Sequence, residues 1–224
     1  DVTFLKKSGC VSCHKNSLTA MTVTAASRKK MRVDDAITAG QRQRITEYLE
    51  SWRGRTLQGV GIPGDADTIS YLLIGLAAAG QPAGLETDAQ ALFLRRAQFA
   101  DGHWETFANR PPIESSTIAV TAASLRAIQL YAPPARRAEF DRAIATGAAW
   151  LQAAAPRVTE DRVFQLLGMK WTDASKASID AAAGALLKEQ RRDGGWAQLP
   201  TLESDAYATG SALYALVESG AIMP

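Results

Sequence analysis

Cys10 and Cys13 stand three positions apart, and His14 follows the second cysteine directly. Two thiols about one helical turn apart can each add to one vinyl group of a porphyrin. An imidazole at the next residue then lies beneath the ring and binds iron on the proximal side. The spacing is therefore that of covalent c-type haem attachment, with one haem per chain expected at Cys10, Cys13 and His14. The chain holds 2 cysteines and 2 histidines, so this segment uses both thiols and leaves His103 as the other imidazole. Two further chemistries fit the same residues. Zinc would need a fourth ligand from His103 or a carboxylate, and a small structural disulfide would need the two thiols alone. A thioredoxin-like redox pair fits poorly, because no βαβ pattern surrounds the cysteines.

The opposite face of the iron has two candidate ligands, His103 first and Met169 as the alternative; a site with no distal protein ligand is the third reading. Met21 lies two turns along the helix that carries His14, which keeps it on the proximal side. Bis-His ligation predicts a low reduction potential and Met ligation a higher one. Arg55 and Arg110 are of the right charge type to pair with propionates, and equally of the type found solvated at a surface.

These residues need a framework, and composition points to helices. In 224 residues the apolar fraction is 46%, ample for a core, and the formal charge of +2 implies no nucleic acid or other polyanion as partner. Alanine is abundant and strand-type runs are scarce. No apolar run reaches the ~18 residues of a membrane span. Haem is attached to such motifs outside the cytoplasm, and an Asp1 start is what a processed chain shows. A periplasmic or extracellular location is expected, with any membrane association made through a partner.

Helices are expected over 15–31, from Asp34 to Gly54, over 69–79, 87–99, 115–131, 136–155, 160–168, 174–191 and 205–218. Strongly apolar segments alternate with more polar ones carrying Arg, Lys, Glu and Gln. Two turns repeat: Gln98-Phe99-Ala100-Asp101-Gly102-His103-Trp104 and Gln190-Arg191-Arg192-Asp193-Gly194-Gly195-Trp196. Each follows a polar helix and leads toward an apolar one, so the repeating unit is a helical hairpin.

This Gln-x-x-Asp-Gly-x-Trp pattern resembles the prenyltransferase and squalene-cyclase repeat, from about residue 34 to the end. The resemblance implies an all-α fold, an α/α toroid forming one domain over 1–224. About five inner helices begin near residues 10, 65, 114, 159 and 204, and the ring is small or incompletely closed. The segment 8–31 would form the first inner helix and place the haem at the rim where inner helices start. The resemblance also gives Gln98, Trp104, Gln190 and Trp196 a structural role, pinning adjacent hairpins. A looser likeness is to bacterial exported proteins that carry this repeat with a Ser-Gly-Cys-Val-Ser-Cys-His segment near the N-terminus, as Ser8 to His14 do here.

Cyclase chemistry is not expected. The family's acid lies in an Asp-x-Asp-Asp-Thr segment, and Asp65-Ala66-Asp67-Thr68 is one aspartate short. Aromatic residues amount to 7%, a thin lining for a carbocation. Asp65 and Asp67 are read instead as caps at a helix start, with Ser115, Thr159 and Ser204 at the matching places. The expected function is that of a monohaem c-type cytochrome. It would serve as an electron carrier, or as the haem-bearing subunit of a redox assembly, with a redox partner protein or a larger membrane-associated complex. The alternative is a structural or interaction module holding zinc or a disulfide at the motif.

Overall fold

The computed structural model describes Lys7 and residues 11–223, apart from the side chain of Cys13. Cys10 lies outside the described residues. The chain is all-α, as its composition implies. Its helices are α1 (Cys13–Arg28), α2 (Asp35–Leu57), α3 (Asp65–Ala78), α4 (Leu85–Ala97), α5 (Thr117–Tyr131), α6 (Arg137–Ala153), α7 (Thr159–Trp171), α8 (Lys176–Lys188) and α9 (Ala206–Ser219). A 3-10 turn, Pro134–Arg136, leads into α6. Among the described residues no strand forms, and Arg110 and Glu114 make an isolated β-bridge.

Burial follows the alternation seen in the sequence. Every residue of α3 from Ala66 to Leu76 is buried, whereas α2 buries only Ile45, Leu49 and Thr56. The same contrast separates α7, buried from Val163 to Met169, from α8, which buries Ala183 and Leu186. The last apolar helix departs from the pattern. α9 buries a stripe, Ala208, Ala212, Ala215 and Leu216, and leaves Leu213, Tyr214 and Val217 exposed.

The chain divides into two compact units. One comprises Asp1–Ala97 and Ala127–Phe140, the other Gln98–Arg126 and Asp141–Pro224, so the boundaries fall at the end of α4 and inside α5 and α6. In the first unit α1 packs on α3 and α2 on α4; in the second α7 packs on α8 and α9. Contact between helices two apart in sequence is the neighbour relation of stacked hairpins. Glycine makes two approaches close. A Cβ on Gly168 of α7 would lie 2.9 Å from that of Ala122 in α5, and one on Gly147 of α6 would lie 2.7 Å from a methyl of Leu125.

The two Gln–Trp turns have matching bonds. In the first, the Phe99 N–H donates to the His103 carbonyl and the Gly102 N–H to that of Phe99. In the second, Arg191 donates to Gly195 and Gly194 to Arg191. Gln98 Nε2 donates to the Gly102 carbonyl and Gln190 Nε2 to that of Gly194. The Trp104 N–H donates to Thr121 Oγ1 in α5, and the Trp196 N–H to Thr209 Oγ1 in α9, each at 3.0 Å. Both indoles are 1% exposed. Gln98 also donates to the Ala143 carbonyl of α6 at 2.9 Å, tying its turn to the next hairpin. The four residues are structural, and two threonines complete the arrangement.

Candidate functional site

The Cys-x-x-Cys-His segment ends where α1 begins. Ser12 is the N-cap, with extended backbone at φ −95° and ψ 92°, so Cys13 and His14 open the first turn. Ser12 makes no side-chain cap; instead its N–H donates to Asn16 Oδ1 at 2.9 Å, and the Asn16 N–H donates to the Ser12 carbonyl at 2.9 Å. Val11, Asn16 and Ser17 are buried, and His14 is half-buried. The helix is anchored along its length. Ser17 Oγ donates to the Tyr71 carbonyl of α3 at 2.5 Å, and Thr24 Oγ1 to the Ala78 carbonyl at 2.9 Å. Gly75 lets the backbones meet, since a Cβ there would lie 2.7 Å from Ser17 Cα.

His103 sits in the first Gln–Trp turn, in the second unit. Its ring is stacked between Phe99, at 4.6 Å and 13°, and Trp150, at 5.2 Å and 21°. Nδ1 lies 2.6 Å from Asp101 Oδ1, and Nε2 lies 3.7 Å from Glu105 Oε1. The hydrogen bond from His103 holds the Asp101 carboxyl below the usual carboxylate range. A carboxylate on Nδ1 is the arrangement found behind metal-binding histidines, and a second carboxylate, Glu105, faces Nε2. The two stacked faces fix the plane of the ring. Met169, also in the second unit, is buried near the C-terminal end of α7. Among the described residues no three His, Cys, Asp or Glu side chains form a metal-holding group.

The arginines considered for propionates have other occupations. Arg110 pairs with Glu114 at 2.5 Å, and Arg55 lies over the Trp52 ring at 4.8 Å.

At α5, α7 and α9 the side chain that caps the helix start is not the expected one. Gly64, at φ 90°, is the N-cap of α3, so Asp65 and Asp67 lie inside its first turn, where they meet the dipole. Burial raises the Asp65 carboxyl, and Asp67 is 3% exposed. Ser116, not Ser115, caps α5 through the Ala119 N–H at 2.9 Å. At α7 it is Asp161, not Thr159, that accepts from the Arg157 and Val158 N–H groups, at 2.8 and 3.2 Å. At α9 it is Asp205, not Ser204, that accepts from the Tyr207 and Ala208 N–H groups, each at 2.9 Å. Glu160, beside Asp161, does something else. Its two oxygens lie 2.9 and 3.0 Å from the Tyr207 hydroxyl, across from α7 to α9. No pattern in the sequence joins these two, which are 47 residues apart.

No family model, no curated protein and no solved structure matches the chain.

Proposed function

We propose that the chain is a monohaem c-type cytochrome built on a squalene-cyclase-like α/α toroid, without cyclase activity. Cys10 and Cys13 would hold the porphyrin through thioethers and His14 would bind the iron. The observation that carries this reading is the Cys-x-x-Cys-His spacing ending on the first turn of α1. A helix start there puts Cys13 and His14 on consecutive positions of a turn fastened to α3 by Ser17 and Thr24. An iron ligand needs such a rigid base, because the reorganisation of a loosely held imidazole would slow electron exchange. When bound, haem supplies one-electron chemistry, exchanged with a redox partner protein or a larger membrane-associated redox complex. A periplasmic or extracellular location belongs to the same reading.

A pyridine haemochrome spectrum of protein produced in an export-competent host tests it. A thioether-type α-band with about one iron per chain is expected. Zinc without iron, or a colourless preparation with a cystine, would instead favour an interaction module stapled at Cys10 and Cys13.

A further inference from the structure

We propose that the cavity between the first turns of α7 and α9 binds a small aliphatic monoamine, as its ammonium ion, on the Glu160 carboxylate. The site lies wholly in the second unit and does not depend on haem.

The cavity measures about 280 Å³, and its walls are mostly carbon, with Pro111, Pro112, Leu199 and Leu202 among the lining residues. Its polar side chains other than one pair are committed to neighbours. Thr159 Oγ1 donates to the Ala197 carbonyl, Ser211 Oγ to that of Tyr207, and Ser115 Oγ to that of Pro112. Gln198 bonds the Asp205 side chain. What faces the space is the pair formed by Glu160, 6% exposed, and the Tyr207 hydroxyl. A phenol has one proton to give, so it satisfies only part of a carboxylate.

Charge selects the ligand. No lysine or arginine lines the cavity, so an anion would meet Glu160 with nothing to compensate it. Burial, helped by the Asp161 charge and opposed by the Tyr207 bond, pushes the Glu160 carboxyl up to about 8. The positive ends of both helices are already met by Asp161 and Asp205, which hold the first-turn N–H groups. Elsewhere around α7, Arg162 pairs with Glu189, the C-cap of α8, and Arg110 pairs with Glu114 in the adjoining loop. The unmatched acid therefore awaits a cation with a short apolar body. Binding converts R–NH3⁺ and Glu160–COOH into an ammonium–carboxylate pair, and the carboxyl proton leaves to solvent.

Isothermal titration with isopentylamine at pH about 7, in phosphate and in HEPES, reads both affinity and proton release. Saturable binding with release of close to one proton is expected, with isopentyl alcohol bound at least about tenfold more weakly. Glu160→Gln should abolish the proton release and weaken amine binding by about tenfold or more. Leu202→Trp, at the exposed edge of the cavity, should block binding while leaving Glu160 untouched. No saturable heat up to about 10 mM amine, equal binding of amine and alcohol, or undiminished binding to folded Glu160→Gln or Leu202→Trp would overturn the assignment.

Discussion

Ser17 and Gly75 hold α1 and α3 at backbone contact: a Cβ on Gly75 would stand 2.7 Å from Ser17 Cα and 2.8 Å from its Oγ. The same Ser17 hydroxyl donates to Tyr71, one turn earlier on α3. Backbone cannot withdraw as a flexible side chain can, so Gly75→Ala should force the helices apart. A loss of about 1–3 kcal/mol is expected, read by urea denaturation. The displaced helix is the one that carries His14, so the same variant should also broaden any haem absorption. Unchanged stability would mean that the two helices part without cost.

Gly102 and Gly194 occupy the same place in the two Gln–Trp turns, at φ 107° and 84°, but their surroundings differ. A Cβ at Gly102 would meet the Thr146 carbonyl group and the Gly147 nitrogen at 2.6–2.7 Å; one at Gly194 would meet nothing within 4 Å. Gly194→Ala should cost about 1 kcal/mol, from the left-handed backbone alone. Gly102→Ala should cost more by a further 1–3 kcal/mol or so, because it also collides with α6. Equal losses in thermal unfolding would contradict the difference in packing.

Glu160 makes stability depend on pH. Folding raises its carboxyl from 4.5 to about 8, chiefly by burial. Between those values the folded chain holds a proton that the unfolded chain has released. Stability is therefore fully present at low pH and declines as pH climbs toward 8, by up to about 1.4 kcal/mol per unit. Glu160→Gln, which stays neutral throughout, should flatten the decline. Denaturation at pH about 5.5 and about 7.5 compares the two; parallel curves for parent and variant would refute the burial argument.

The proposed covalent attachment of haem can be separated from folding. Cys10→Ala with Cys13→Ala should remove haem colour that survives denaturing electrophoresis. Far-ultraviolet dichroism should stay strongly helical, because Ser17, Thr24 and Gly75 hold α1 without either thiol. His14→Ala should keep thioether-bound porphyrin but lose the proximal imidazole, a change visible as a shift in the Soret region.

The all-α class and the alternation of buried and surface helices were legible because most apolar segments are long and closed by Gly or Pro; α7 is the exception, running through Gly168 to Trp171. Pro133-Pro134 ends α5 near where it must. Gly54 misleads as an end for α2: at this open position it stays helical, and the chain turns only at Gly59, with φ 90°. The matching Gln–Trp turns exposed the hairpin unit. Their threonine partners did not show, because Thr121 lies 17 residues beyond Trp104 and Thr209 only 13 beyond Trp196. The acids announced helix starts but not their own duties. Whether a carboxylate caps, lies along a first turn or faces a cavity depends on a shift of one residue and on the neighbour across the helix pair. The Glu160–Tyr207 pair is wholly of that kind.

Gln98 donates to α6 and Trp104 to α5, the elements that come straight after their turn. A gene that copied one such stretch in frame would carry those bonds along with it. Chains of this type can thus lengthen or shorten by whole hairpins while the first helix, and whatever chemistry it carries, stays as it was.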